Sequence, residues 1–317
     1  MTTETLSAQR IWSDEQNAFF NALTTSTSSL MLRASAGSGK TTTIVEATRR
    51  LPAGTKVKFL AFNKNIQTEL ESRLAPGTAC RTFHSDGLAA LNKLFGGNAL
   101  STKSRRTKID AGKVRSILPD VLKPSQLRLY ASPIVRLVSY AKSAGLGTEV
   151  LEDTWSEWQN LLTHFSLQLD DEAQPQTVIA LAQKVLLESN NRPDVLDFDD
   201  MLYLALKLNA TFEPFDIVFI DEAQDTNAVQ RALLKRMLQR TPNAPCGLNS
   251  SCPPYSSPSR LIAVGDPSQA IYGFRGADAD AMTALRDEFN MTVLPLSVSY
   301  RCSKAVVAEA QNFETTL

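Results

Sequence analysis

Short apolar runs alternate with stretches of helical periodicity over the first part of the chain. Residues 1–10 form a loose polar tail, and Ser13-Asp-Glu-Gln16 then opens a helix carrying Phe19, Phe20 and Leu23. The Ser/Thr-rich stretch Thr24–Ser29 leads into Leu30-Met31-Leu32, an apolar run that reads as a strand, and a helical pattern follows from Thr42 to Leu51. Val57–Phe62 reads as a second strand, followed by a helical segment to Leu74. Pro76-Gly77 turns the chain into a third strand, Ala79–Phe83.

From about Leu88 to Asn190 the rhythm is mostly helical, with breaks at Gly96-Gly97, Pro119, Pro124, Pro133, Gly145 and Pro175. Asp216-Ile-Val-Phe-Ile-Asp221 is a continuous apolar run, the pattern of a strand covered on both faces. A helix from Asn227 to Arg240 puts Val229, Leu233, Leu234 and Met237 on one side. Leu261–Gly265 and Thr292–Leu296 are further strands. Between them and that helix, Thr241–Ser259 is rich in Pro, Ser, Asn and Cys, so it is a surface loop or an unstructured insertion. Strands alternating with helices predict an α/β fold, a parallel sheet with right-handed crossovers and a helical subdomain inserted into it.

Composition adds little to this. With 317 residues, 43% hydrophobic and 21% charged, the chain suits one large or two to three smaller globular domains. Lys+Arg and Asp+Glu are both 33, so net charge says nothing about partners. Its distribution says more: six basic residues lie between Lys103 and Arg115, against Asp110 alone. Ser143 to Gln183 has seven acids and no Lys or Arg. One face that tolerates a polyanion and one that repels it would explain this, and so would ordinary solvated helix faces. Cys80, Cys246, Cys252 and Cys302 lack zinc spacing, and reduced thiols in an intracellular protein are expected. No signal-peptide core and no bilayer-length apolar run is present, which predicts a soluble protein that is not secreted.

Candidate chemistry concentrates after the strands. Ala34-Ser-Ala-Gly-Ser-Gly-Lys-Thr41 fits the phosphate-loop pattern in the required context of strand, tight loop and helix. Ala36, Gly37, Ser38 and Gly39 let the backbone wrap a polyphosphate, the following helix adds its N-terminal dipole, Lys40 meets the outer phosphates and Thr41 a bound Mg²⁺. Asp221-Glu222-Ala-Gln-Asp225 stands at the carboxyl end of a buried strand, where open parallel sheets bind ligands. Asp221 is placed to hold Mg²⁺ and Glu222 to polarise a water attacking the γ-phosphate, with Asp225 or Thr226 capping the next helix. After the following strand, Gly265–Ala277 brings Gln269, which can reach a γ-phosphate, and Tyr272, Phe274 and Arg275, which suit stacking on bases and contact with a phosphate.

Gln16, the phosphate loop, Ala61-Phe-Asn-Lys64, Thr82-Phe-His-Ser85, Asp197-Phe-Asp-Asp200, Asp221–Asp225, Gly265–Ala277 and Ser299-Tyr-Arg301 follow one another in the chain. This ordered set resembles the UvrD/Rep/PcrA branch of superfamily 1 DNA helicases, and the wording at Ala61–Lys64 and Thr82–Ser85 also resembles F-box DNA helicases. The resemblance implies a RecA-like phosphate-loop NTPase domain using ATP and Mg²⁺, and 3′-to-5′ movement along single-stranded DNA. It divides the chain into a first motor domain (1–87 and 193–296), an inserted helical subdomain (88–192) and the start of a second motor domain (297–317). It implies that Gln16, Thr42 and Tyr300 lie at the adenine, with Lys40, Thr41, Asp221 and Glu222 running hydrolysis. Gln269 would couple hydrolysis to DNA grip, and Arg301 would contact the γ-phosphate. Phe62, Asn63, Thr82, His84, Tyr272, Phe274 and Arg275 would line the DNA path. Location in a prokaryotic cytoplasm or a eukaryotic nucleus goes with it.

Local readings of some residues stay open. Ser13-x-x-Gln16 is also a capping box. His84 also suits a hydrogen-bonded core site, and Asp197–Asp200 suits the acidic first turn of a helix. Two departures from the family pattern stand out. Thr42 occupies a position where the family usually has an arginine against the adenine, so the base is held less tightly or by another side chain. Only sixteen residues follow Arg301, so the expectation is a truncated product or half of a split protein, with the second RecA-like domain supplied in cis or in trans; the alternative is a non-motor module that binds ATP, single-stranded DNA or a partner without unwinding.

Overall fold

The computed structural model describes residues 11–96, 107–238, 259–270 and 280–311. Helix α1 (Asp14–Thr25) starts where the capping box predicts: Gln16 N donates to Ser13 Oγ, and Ser13 N to Gln16 Oε1. The chain continues through β1 (Leu30–Ala34), α2 (Lys40–Arg49), β2 (Val57–Ala61), α3 (Lys64–Glu71), β3 (Ala79–Thr82) and α4 (Phe83–Leu94). Helix α2 begins at Lys40, ahead of the Thr42 start that the periodicity suggests, directly after Gly39, whose left-handed conformation ends the phosphate loop.

Next come β4 (Lys108–Ile109), α5 (Lys113–Val121), α6 (Pro124–Ala144), α7 (Trp155–His164), α8 (Pro175–Asn190), β5 (Val195–Leu196) and α9 (Asp200–Lys207). Pro124 and Pro175 start helices, and Gly145 closes one in the left-handed conformation, as expected. Pro119 and Pro133 instead lie inside α5 and α6. An interior proline costs about 3 kcal/mol. In α6 the full burial of Ile134, Leu137, Val138 and Ala141 just beyond Pro133 offsets that loss.

The last elements are β6 (Ile217–Ile220), α10 (Ala228–Leu238), β7 (Arg260–Gly265), α11 (Ala281–Glu288), β8 (Thr292–Leu296) and α12 (Lys304–Gln311). Neither Asp225 nor Thr226 caps α10. Asn227 does so with Gln230, through a reciprocal pair of 2.9 Å hydrogen bonds.

Among the described residues, six strands form one parallel sheet in the order β3-β2-β6-β7-β1-β8. Alternation along the strands divides the core. Leu30, Leu32, Phe59, Phe219, Ile262 and Val264 face Phe19, Phe20 and Ile44 of α1 and α2. Met31, Leu60, Val218, Ile220, Leu261 and Ala263 join the opposite core, which continues into Ile117, Ile134 and Trp158 of the helical region. Both faces are covered, as a parallel sheet requires. The carboxyl ends of its strands are therefore the open edge.

The helical region is tied to α9 by buried charge. Lys113 Nζ lies 2.7 Å from Asp200 Oδ2, and Lys142 Nζ lies 2.6 Å from Asp197 Oδ2 and 2.7 Å from Asp200 Oδ1. Ser139 Oγ donates to Asp199 Oδ2 at 2.5 Å. Burial alone would lower the Lys142 ammonium, but Asp200 and Asp197 outweigh it and hold it above its ordinary value. For Lys113 burial wins over Asp200, and its value falls. Asp197–Asp200 is thus more than an acidic first turn, and Lys113, read from sequence as part of a basic surface run, is 2% exposed.

Candidate functional site

The sheet order brings the ends of β1, β6 and β7 together at one edge. From β1 the chain enters the phosphate loop, where Gly37 and Gly39 take φ values of +75° and +83°. The segment after β8 lies on this loop. Tyr300 N donates to Gly37 O at 2.9 Å, and Ser299 Oγ donates to Ala36 O at 2.9 Å. A Cβ on residue 37 would stand 2.6 Å from Arg301 Cβ, so this close approach requires glycine there. Glu15 anchors the same segment by accepting from Ser297 N and Oγ at 2.7 and 2.6 Å. Tyr300 and Arg301 are both exposed at the loop.

From β6 the chain enters the acidic turn. Lys40 Nζ lies 3.5 Å from Glu222 Oε2. Asp221 is buried, its carboxylate accepts from Glu222 N at 3.0 Å, and the Thr41 hydroxyl lies beside it. Burial pushes its pKa up to about 6, Glu222 adds to the rise, and Lys40 and Thr41 oppose it. Glu222 has φ 51°, a left-handed conformation strained by roughly 1–3 kcal/mol for such a residue and typical of functional turns.

Two buried groups fit an anionic ligand. Lys40 Nζ and Ser38 Oγ have no hydrogen-bond partner among the described residues. A buried ammonium facing a backbone cradle is suited to phosphate oxygens. No cluster of three His, Cys, Asp or Glu side chains able to hold a metal gathers among the described residues. Thr41 and Asp221 nevertheless offer hard oxygen donors of the kind that take Mg²⁺ together with a nucleotide's phosphates.

Gln16 is buried beside the start of α2, but its carboxamide is committed. Oε1 closes the capping box, and Nε2 donates to Thr43 Oγ1 at 2.8 Å. Thr42 is half-buried on α2. The Arg50 guanidinium packs 3.9 Å from the Phe20 ring centroid and 5.8 Å from that of Trp12. Gln269 is exposed after β7, with Nε2 donating to Asp266 Oδ2 at 2.6 Å.

Phe62 and Asn63 follow β2, Thr82 ends β3 and His84 follows it, all at the same edge, on the far side of β6. Asn63 caps α3 and Thr82 caps α4. Phe62, Asn63 and His84 line a cavity of about 410 Å³, closed by Ser139, Tyr140 and Asp199 on one side and by Asp225 and Asn227 on the other. Thr82 is not in that lining. Burial lowers the His84 pKa below its ordinary value. Phe198, to which the sequence motifs assign no role, is 57% exposed and lies edge-on to His84, ring centroids 6.4 Å apart. An aromatic flanked by two acids, just before an apolar helix, is the signal the sequence offers. Tyr272, Phe274 and Arg275, and the run 241–258, lie outside the described residues.

Asp225 joins the two halves of the edge. It lines the cavity, its Oδ1 has no hydrogen-bond partner among the described residues, and its backbone N donates to Glu222 O at 3.0 Å. Burial raises its pKa to about 6, and the Glu222 charge adds to this. A raised carboxyl opposes folding once it must ionise, so the penalty grows as pH rises from about 4 to about 6 and is full above that. Asp225→Asn should therefore stabilise the chain by on the order of 1–3 kcal/mol at pH 7.5. The gain should vanish near pH 4, as read by denaturant midpoints at both pH values; a loss of stability at pH 7.5 would contradict this account.

Residues 12–290 match the UvrD/REP helicase N-terminal domain family. The chain belongs to that family. Among relatives of this UvrD/REP-type chain, the ATP-dependent DNA helicase PcrA of Bacillus subtilis is 26% identical over 91% of the chain. The ATP-dependent DNA helicase UvrD1 of Mycobacterium leprae is 27% identical over 90%, and a probable DNA helicase II homolog of Mycoplasma genitalium 27% over 87%. The UvrD/REP-type chain spans 37–39% of the length of these three relatives. No described helix is long and apolar enough to cross a membrane.

Proposed function

We propose that this chain is the N-terminal, ATP-binding motor half of a UvrD-like helicase that couples ATP hydrolysis to 3′-to-5′ movement on single-stranded DNA. The observation that carries this reading is the meeting of a buried Lys40 ammonium, ion-paired to Glu222 but without a hydrogen-bond partner among the described residues, with Asp221 and Thr41, at a sheet edge that also carries a cavity lined by Phe62, Asn63 and His84. Family membership and the names of the relatives support it.

Lys40, Ser38 and the backbone of residues 36–39 bind the triphosphate. Thr41 and Asp221 would hold Mg²⁺, which neutralises charge on the phosphate oxygens when bound. Glu222 takes a proton from a water whose oxygen attacks the γ-phosphorus. The bond to the β–γ bridging oxygen breaks, giving ADP and phosphate. Gln269 and Arg301 sense the γ-phosphate, while Gln16, Thr42 and Tyr300 border the adenine.

Phe62, Asn63, Thr82 and His84, with Phe198 and with Tyr272, Phe274 and Arg275, form the strand path. Residues 1–87 and 193–296 make the first motor domain, 88–192 the inserted subdomain, and 297–317 the lead into a second. That second RecA-like domain closes over the nucleotide, in the same protein or in trans, inside the cell.

Binding and hydrolysis of Mg·ATP, with and without a single-stranded oligonucleotide, test the reading. Mg²⁺-dependent ATP binding that Lys40→Ala abolishes, and hydrolysis that the oligonucleotide stimulates, are expected. Hydrolysis indifferent to DNA would remove the strand path from the reading, and a wild-type chain that binds no Mg·ATP would overturn it.

A further inference from the structure

The acidic turn after β6 and the loop after β7 are joined by a side chain that the hydrolytic roles above do not use. Gln224 is 3% exposed, and both polar atoms of its carboxamide are engaged. Nε2 donates to Glu222 Oε2 at 2.8 Å, and Oε1 accepts from Asp266 N at 3.0 Å. The chemistry of the neighbours fixes this orientation, because a carboxylate needs the NH₂ group and a backbone N–H needs the oxygen. Gly265 makes room for it: a Cβ there would stand 2.6 Å from Gln224 Oε1 and 3.1 Å from Gln224 N.

Asp266 extends the chain of bonds. Its carboxylate accepts from Ser268 N at 3.1 Å and from Gln269 Nε2 at 2.6 Å, while its carbonyl accepts from Gln269 N at 3.0 Å. Glu222, Gln224, Asp266 and Gln269 thus form one hydrogen-bonded line between the ends of β6 and β7. The line matters because Glu222 Oε2 has two neighbours, Gln224 at 2.8 Å and Lys40 at 3.5 Å. Lys40 cannot serve both Glu222 and an incoming phosphate fully. When it turns to the phosphate, Gln224 is the remaining donor that holds the carboxylate in place.

We propose that Gln224 is a positioning residue: it aims Glu222 at the hydrolytic water and ties that aim to the Asp266–Gln269 turn. The proposal rests on the reading of Glu222 as the hydrolytic base, and two variants separate the two ideas. Gln224→Leu removes both bonds. Gln224→Glu keeps an acceptor for Asp266 N and removes the donor to Glu222.

Three readouts are needed on the whole chain: Mg·ATP affinity, oligonucleotide-stimulated turnover, and amide exchange at Asp266 followed by NMR without nucleotide. Both variants should bind Mg·ATP within about twofold of wild type and lose at least about tenfold in kcat at unchanged KM. Exchange at Asp266 should quicken at least about tenfold in Gln224→Leu and stay as in wild type in Gln224→Glu, with Ile262–Val264 unchanged in both. Full turnover in either variant, or a KM effect alone, would overturn the aiming role. Unchanged exchange at Asp266 in Gln224→Leu would overturn the tie to the second loop. A wild-type chain that binds but does not hydrolyse ATP would sink the hydrolytic reading and the aim together. The exchange result would still decide the tie.

Discussion

Replacing Lys142 by Met should destabilise the folded chain by about 3–5 kcal/mol, the usual loss when one partner of a buried ion cluster is removed. Lys142 is 1% exposed and stands between two carboxylates, Asp197 and Asp200, that are themselves buried. Lys113 remains within reach of Asp200 only, so Asp197 would be left as an uncompensated charge. Denaturant unfolding measures the loss. Adding Asp197→Leu should recover much of it, because the cluster then keeps one matched pair, Lys113 with Asp200. A single-variant loss below about 1 kcal/mol would mean that water reaches the cluster and screens it. The consequence bears on the proposed strand path as well: Lys142, Ser139 and Asp199 line the same cavity as Phe62 and His84.

Glu222→Gln should lower the proposed ATP hydrolysis by about 10²- to 10⁴-fold, the range expected when a general base is lost. Binding should survive. Glutamine keeps the length of the side chain and an oxygen for Gln224 Nε2, while its neutrality removes the 3.5 Å ion pair and frees Lys40 for phosphate. Phosphate release and a nucleotide titration read the two effects separately. Parallel loss of both would mean that Glu222 organises the pocket; unchanged turnover would remove it from the chemistry.

Much of this architecture is legible in the sequence because it is local. Most strands of the main sheet announce themselves as apolar runs, β3 (Ala-Cys-Arg-Thr) being marked instead by the Pro76-Gly77 turn before it, and the phosphate loop carries its own signature between β1 and α2. The capping box at Ser13 and Gln16 is visible for the same reason. What stayed hidden depends on partners far along the chain. Lys113 looks like one basic residue in a basic run until Asp200, 87 positions later, is placed beside it. Pro119 and Pro133 read as breaks because the burial that offsets their cost is contributed by other helices. The two-residue strands β4 and β5 pair across the same long interval, with no periodicity to mark them. Gln224 sits inside a legible motif, yet its task becomes visible only when Asp266 arrives from the next strand.

The placing of β1 has a consequence for how the chain is made. Its neighbours are β7 and β8, so Leu30 waits for Ile262 and Thr292, about 230 and 260 residues later. At about 5–20 residues per second, a growing chain would carry that strand unpaired for roughly 10–50 s. The segment between β3 and β6 carries many of its own partners and can fold in the meantime. The phosphate loop, among the first of the site's elements to leave the ribosome, is therefore among the last to take shape. During that interval Leu30, Met31 and Leu32 are an exposed apolar stretch of the kind that nascent-chain chaperones bind.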